Sequence, residues 1–396
     1  MAIELSSDHI KQLVHFAQDL IRIPSPSGEE QQVAKRLIEE MKRAGLPEVR
    51  TDRMGNVIGR IGNGQGPTIM LEGHMDTIDC GDPSKWPYGP YEAKIADGVI
   101  YGLGAADMKG AVASMVHAGK ALIDAGMELH GNLYIVSVVQ EEPCEGAAIR
   151  VLIEEEGIRP DFVVIGEATS LQLARGQRGR LELKITTHGR SCHSSAPERG
   201  KNAIYEAARL VVGIELMTSQ METDSFLGKA SIAVIRIESM ARSRNAVPER
   251  CVLYLDRRLT SGETEVKVLA EIKNLISREG ADATVEVTED HLRSYTGYEF
   301  RVRQYFPCWA TPENNEWLRR CASVIERELG YRPRIGRWDF STDGVYTAGV
   351  AGIPTVGFGP GEEKYVHTVE ERVSIAHLVD ATRAYARLAA DLLAGK

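Results

Sequence analysis

Near residue 180 the hydrophobic rhythm of the chain changes, and the change separates two architectures. Upstream, short apolar runs alternate with amphipathic helical stretches. Residues 8–22 put Ile10, Leu13, Val14, Ala17, Leu20 and Ile21 on one helical face, and Pro24-Ser25-Pro26-Ser27-Gly28 ends that helix. A second helix is expected over 29–44, stopped at Gly45, then a hairpin over 49–61 turning at Met54-Gly55-Asn56. Residues 67–73 read as a short buried strand running straight into His74. A helix over 108–125 and strands over 132–139 and 162–165 continue the alternation. This order predicts an α/β domain with a mostly parallel sheet and helices on both faces.

From 181 the pattern becomes strand 181–187, helix 202–217, strands 230–238 and 249–256, helix 264–278 and strand 283–288. That is βαββαβ, the ferredoxin-like order. Helix 313–329, strands near 335 and at 353–358, and a closing helix 374–394 then resume the first pattern. The expected division is residues 1–179 and 292–396 as the α/β domain, interrupted by an inserted lid or dimerisation domain of residues 180–291. With 396 residues and 43% hydrophobic content, the chain can bury two cores.

Composition excludes several classes of partner. The 47 Lys and Arg against 56 Asp and Glu leave −9 at pH 7, with no basic run, so nucleic acid and anionic membranes are not expected. Six cysteines stand singly, without a C-x-x-C pair, which argues against a disulfide scaffold or a thiolate zinc site. The N-terminus has neither a basic n-region nor an apolar h-region, and no apolar window is long enough to span a membrane. The expected compartment is the cytoplasm.

Candidate chemistry gathers at element ends, where open α/β sheets bind ligands. The candidates are His74-Met75-Asp76, Asp107, Glu141-Glu142, Glu167, and His367 in a loop beyond Phe358. His74 and Asp76 are two apart, so an extended chain points both the same way, one to a metal and one to the imidazole's other nitrogen. A polar strand end is the plainer alternative. Asp107 precedes Met108-Lys109-Gly110 and reads equally as a helix N-cap; Gly102-Leu103-Gly104 before it indicates a close backbone approach. Glu141 and Glu142 are adjacent and project differently, so one can bind metal while the other moves protons. Otherwise they form a solvated acidic turn, as does Glu167. His193, inside the insertion, and His367 read equally as loop histidines. Five such candidates at five successive element ends point to a divalent site suited to zinc, manganese or cobalt.

The segments 71–76, 101–110, 140–142, 165–167 and 193–200 resemble, in order and over essentially the whole chain, a family of dinuclear zinc hydrolases. Its members include acetylornithine deacetylase, succinyl-diaminopimelate desuccinylase, aminoacylase and the glutamate carboxypeptidases. Within it, the selenium-metabolism-linked hydrolases are the branch this sequence most resembles. The resemblance implies two divalent ions per chain, Zn2+ with Co2+ or Mn2+ as substitutes. His74 and Glu167 would hold one, Glu142 and His367 the other, and Asp107 would bridge them through a turn with a cis Asp107–Met108 peptide. It also implies that Asp76 supports His74, that Glu141 is the general base, and that His193 serves the site of the opposite subunit in a homodimer. Asn245 and Arg258 would bind a substrate carboxylate; Arg258 reads equally as a surface arginine paired with acidic neighbours. Leu103 departs from the arginine common in relatives, without touching a ligand. The implied substrate is a small acylated amino acid or short peptide. A carboxypeptidase or dipeptidase is the alternative within the family, and a non-catalytic binding or dimerisation module the alternative outside it.

Overall fold

The computed structural model describes residues 4–394 and divides them into two compact units. The larger holds the chain up to Gln177, Leu292–Phe300 and the chain from Ala310 on; the smaller holds Arg178–His291 and Arg301–Trp309.

The larger unit is built on a mixed sheet. Its strands run in the order Glu48–Thr51, Val57–Gly62, Asn132–Val138, Thr68–His74, Phe162–Ile165, Thr355–Gly357 and Leu173–Gln177. The middle is parallel: His74 sits level with Val138, Glu72 with Ile165, and Ile165 with Gly357. Antiparallel pairing appears only toward the edges, between Val57–Gly62 and its two neighbours and at Gly357 opposite Ala174. Six of the seven residues of Thr68–His74 are buried, as a strand covered on both faces requires. Its parallel neighbours end beside it, so the turns that follow them emerge at one edge.

Helix Lys109–Asp124 packs on this sheet, and 13 of its residues are buried. Glycine makes that contact close: a Cβ on Gly166 would stand 2.3 Å from Met115 Cε. Helix Ser7–Arg22 packs beside it, with Ser6 capping its first turn through His9 N–H and Leu13, Phe16, Ala17, Leu20 and Ile21 turned inward. Helix Ile375–Leu392 also packs on Lys109–Asp124.

The smaller unit is an antiparallel sheet in the order Ser231–Met240, Arg250–Leu259, Gly179–His188, Ala283–Val287. Helices Ala203–Gln220 and Glu265–Arg278 bury Leu210, Ile214, Ile272 and Leu275 against Leu181, Leu183, Ile185, Leu253 and Leu255. The order of strands is the ferredoxin-like one. Residues 301–309, which the sequence assigned to the α/β domain, belong here instead. Tyr305 pairs with Leu181 and Phe306 with Arg180, a two-residue strand too short to carry a period. The outer strand Ser231–Met240 exposes Ile235, Ile237 and Met240, and helix Ala203–Gln220 exposes Tyr205, Val212 and Leu216 along one stripe. Among the described residues, no helix is long and apolar enough to cross a membrane.

Candidate metal centre

His74 ends the middle strand and is buried. Its Nδ1 lies 3.0 Å from the carbonyl oxygen of Asp76, an acceptor only, so Nδ1 carries the proton and donates. Nε2 is left to face Asp107 Oδ1 at 2.9 Å and Glu167 Oε1 at 3.3 Å. Asp76 therefore supports the imidazole mainly through its backbone. Its carboxylate does something else: it accepts the N–H groups of Glu141 at 3.1 Å and Glu142 at 3.3 Å, and the hydroxyl of Ser27 at 2.6 Å.

Asp107 is not a helix cap. The helix begins at Lys109, Met108 holds the cap position, and the Asp107–Met108 peptide is cis. Gly104, at φ 84°, leaves room for the buried Lys109 stem, which a Cβ there would meet at 2.9 Å. Asp107 Oδ2 lies 3.0 Å from His367 Nε2, which is also 3.1 Å from Glu142 Oε2. One carboxylate thus presents its two oxygens to two different imidazoles. After Val138, Gln140 turns the chain at φ 53°, and Glu141 and Glu142 leave in different directions. Glu141 joins His74 and Glu167 in one group of possible ligand atoms within 4.8 Å of each other; Glu142 joins His74 and Asp107 in a second.

Electrostatics at this edge are incomplete without added positive charge. Burial, and then the charge of Asp107, pushes Glu167 up to about 7. Burial pushes Glu141 well above the usual carboxylate range and raises Glu142. Hydrogen bonds to Asp107 and then Glu142 carry His367 up to about 10. Burial opposes charge on Asp107, but its bonds to His367 and His74 hold it well below its usual value. Glu141, Glu142 and Glu167 are raised first by burial, while Asp107 and His367 favour their charged forms through the bond they share. Oε1 of Glu141 and Oε2 of Glu167 are buried with no hydrogen-bond partner. An imidazole and carboxylate donor set with orphaned oxygens fits two divalent cations.

The other expected residues lie in the smaller unit. His193 Nε2 stands 3.5 Å from Asn245 Nδ2, and the two loops that carry them are bridged at His193 and Ala246. Arg258 lies at the opposite end of strand Arg250–Leu259, level with Arg180, and forks onto Asp256 at 2.8 and 3.1 Å. The structure brings His193 and Asn245 together and leaves Arg258 far along the strand from both.

Several buried groups here went unread in the sequence. Glu371 accepts the N–H groups of Ala106 and Asp107, both at 3.0 Å. Glu30 accepts those of Gly28 at 2.9 Å and Gln140 at 3.1 Å. Lys109 is fully buried, donates to the Ile23 carbonyl at 2.8 Å, and is driven down to about 7 by that burial. Glu371 and Glu30 sit among exposed-looking acidic pairs, Glu370-Glu371 and Glu29-Glu30, and only burial distinguishes the working member. Lys109, directly after an acidic turn and inside an apolar helix, was the readable signal.

Residues 70–391 match the model of peptidase family M20/M25/M40. The chain is 39% identical to the uncharacterized protein YgeY of Escherichia coli (strain K12), covering 100% of this chain and 98% of that one. It is 28% identical to a succinyl-diaminopimelate desuccinylase of Methylorubrum extorquens (strain PA1), covering 96% and 98%. In fold it is similar to the Bacillus subtilis YXEP protein, a dinuclear metal-binding peptidase of the M20 family, with a TM-score of 0.73 at 16% identity over 98% and 99% of the two chains. With the matched segment spanning both the gathered ligands and the inserted unit, the chain belongs to the M20/M25/M40 peptidase family and is a hydrolase of amide or peptide bonds.

Proposed function

We propose that the chain is a two-metal deacylase that hydrolyses the amide bond of an N-acyl amino acid. The carrying observation is Asp107, whose two oxygens face His74 and His367 separately while Glu141 stands free beside them. His74 and Glu167 would hold one ion and Glu142 and His367 the other, with Asp107 between. Bound there, two Zn2+ ions would polarise the scissile carbonyl and lower the pKa of a water. Glu141 takes a proton from the attacking water at its unpartnered Oε1 and passes it to the leaving nitrogen. Burial raises its proton affinity, which suits a group that holds a proton between two steps. The desuccinylase relative supports the acyl side of the reading.

The reading extends to a homodimer. Every proposed ligand is in the larger unit, while His193 and Asn245 are in the smaller one. The outer strand Ser231–Met240 keeps an unpaired edge with apolar side chains exposed, a surface suited to two-fold pairing. In such a dimer the partner's His193 and the partner's Asn245 complete each site.

The test is a panel of N-acetyl and N-succinyl amino acids beside unblocked dipeptides. Acylated substrates should be cleaved, activity should vanish on chelation, and Zn2+ should restore it. Turnover of unblocked dipeptides alone would overturn the deacylase reading. For the dimer, Glu141→Ala and His193→Ala chains are dissociated, mixed and reassociated. Random pairing should recover roughly a quarter of wild-type activity; verified mixed dimers that stay dead would refute the shared site.

A further inference from the structure

Glu371 is buried, and its carboxylate makes no hydrogen bond or ion pair with either imidazole of the centre. What it does hold is backbone. Oε1 accepts from Ala106 N–H and Asp107 N–H, both at 3.0 Å, on the turn that delivers Asp107. Its own carbonyl accepts from Gly102 N–H at 3.1 Å, at the start of that same turn. Its N–H donates to the Thr368 carbonyl at 3.2 Å, closing the turn that begins directly after His367. One residue is therefore bonded to the segments carrying two ligands that come from distant parts of the chain.

We propose that Glu371 is a positioning residue that fixes Asp107 and His367 to one another, and so sets the ion site they share with Glu142. The inference rests on the two-metal reading. Its physical basis is that both ligands sit on turns, braced otherwise by bonds such as Lys109 N–H to the Gly104 carbonyl at 2.8 Å and Thr368 N–H to the Tyr365 carbonyl at 3.3 Å, neither of which joins the one turn to the other. Asp107 lies in a turn between a short strand and a helix, and His367 sits half-exposed at φ 58°, outside any helix or strand. His74 and Glu167 are held differently. His74 is locked in the ladder with Val138, and Glu167 follows Gly166, whose N–H donates to Glu72 at 2.9 Å. Strand-held ligands do not depend on Glu371; turn-held ligands do. Withdrawing its oxygens would strand two buried N–H donors and let Asp107 drift from His367. The expected damage is thus unequal, greater at the ion of Glu142 and His367, which depends on both turn-held ligands, than at the ion of His74 and Glu167, which shares only Asp107 with it.

The experiment is a Zn2+ titration of metal-stripped full-length protein against a chromophoric chelator, with circular dichroism to verify folding. Wild type is compared with Glu371→Asp, which keeps the charge but pulls the oxygens back by one methylene. It is also compared with Glu371→Gln, which keeps an acceptor oxygen at full reach. His367→Ala marks which ion is which. Glu371→Asp should weaken the His367-dependent ion by roughly ten- to a hundredfold, the range for lost supporting partners of metal ligands, and weaken the other ion, which shares only Asp107, clearly less. Glu371→Gln should bind both ions nearly as wild type does. Equal weakening of both ions in Glu371→Asp, no weakening of either, or a loss in Glu371→Gln as large as that in Glu371→Asp would each overturn the proposal. A wild-type protein that binds no ions would remove the two-metal reading itself, a failure visible before any variant is measured.

Discussion

The larger unit buries two clusters of histidines and carboxylates, and it neutralises them in opposite ways. Among the helices, the rings of His9 and His117 meet tilted at 60° with centroids 5.1 Å apart, and Glu40 lies 3.6 Å from His117. That cluster contains its own cations: Glu40 takes Arg36 at 2.8 Å and Arg43 at 3.2 Å. Burial alone would raise the Glu40 carboxyl, but His117 beside it and the bond from Arg36 outweigh it and hold the group down to about 2. At the sheet edge no arginine or lysine pairs with Glu141, Glu142 or Glu167 among the described residues, and all three are pushed upward. The helical cluster balances its carboxylate with arginines from its own chain. The other is built around charge that must come from outside the chain.

The sharpest way to break this contrast is to separate the two glutamates of the metal centre. Glu141→Gln should keep both ions and lose about 10²–10⁴-fold in kcat, the usual worth of a general acid–base group. Glu142→Ala should instead lose one ion, measured by elemental analysis after dialysis. Exchanged phenotypes would mean that their roles have been assigned backwards.

Next comes Glu40→Ala, which takes away the partner of Arg36 Nη1 and leaves that guanidinium only Asp19, at 3.0 Å. Breaking a buried ion pair costs about 3–5 kcal/mol, so denaturant unfolding should shift strongly while metal content stays at two ions per chain. Loss of metal with intact stability would dissolve the distinction between the clusters.

The smallest expected effect is a pH dependence. Burial first, then the charge of His117, lowers His9 to about 4 from an ordinary 6.5. Lys120 acts in the same direction and Asp124 against it. The folded protein therefore binds fewer protons at this residue than the unfolded chain. Its contribution is fully present above about 6.5 and is lost as pH falls toward 4. His9→Leu should flatten the stability profile in that window relative to wild type, measured by denaturant unfolding at several pH values. A wild-type slope that survives the substitution would mean that another group titrates there.

Both architectures were legible because their elements are long enough to show a period. Helix Lys109–Asp124 and strand Phe162–Ile165 lie where the pattern put them. Leu173–Gln177 was not readable: all five residues are buried, yet Leu-Ala-Arg-Gly-Gln has no alternation to mark it. The ligands share one signal, an acidic or imidazole residue where an element stops, and the structure gathers His74, Asp107, Glu142, Glu167 and His367. What supports them is tertiary and leaves little trace. Nothing in the sequence says that Asp76 would spend its carboxylate on the Glu141 and Glu142 amides, or that Gln140 would adopt a left-handed turn. Arg258, which the resemblance grouped with Asn245, stands at the far end of a ten-residue strand from it.

The parallel pairing of Phe162–Ile165 with Thr355–Gly357 also sets a timetable. Val163 waits for Thr355, and the donor set is not complete until His367 has been made. At bacterial-scale synthesis rates of about 5–20 residues per second, the stretch between the two strands takes roughly 10–40 s to appear. During that interval the inserted unit is translated whole, through Trp309, and the nascent larger sheet presents the bare edge of its most apolar strand. A newborn chain therefore spends much of its synthesis with one unit nearly finished and the other open. That makes the Phe162–Ile165 edge the place where a chaperone, or a neighbouring nascent chain, would find it first.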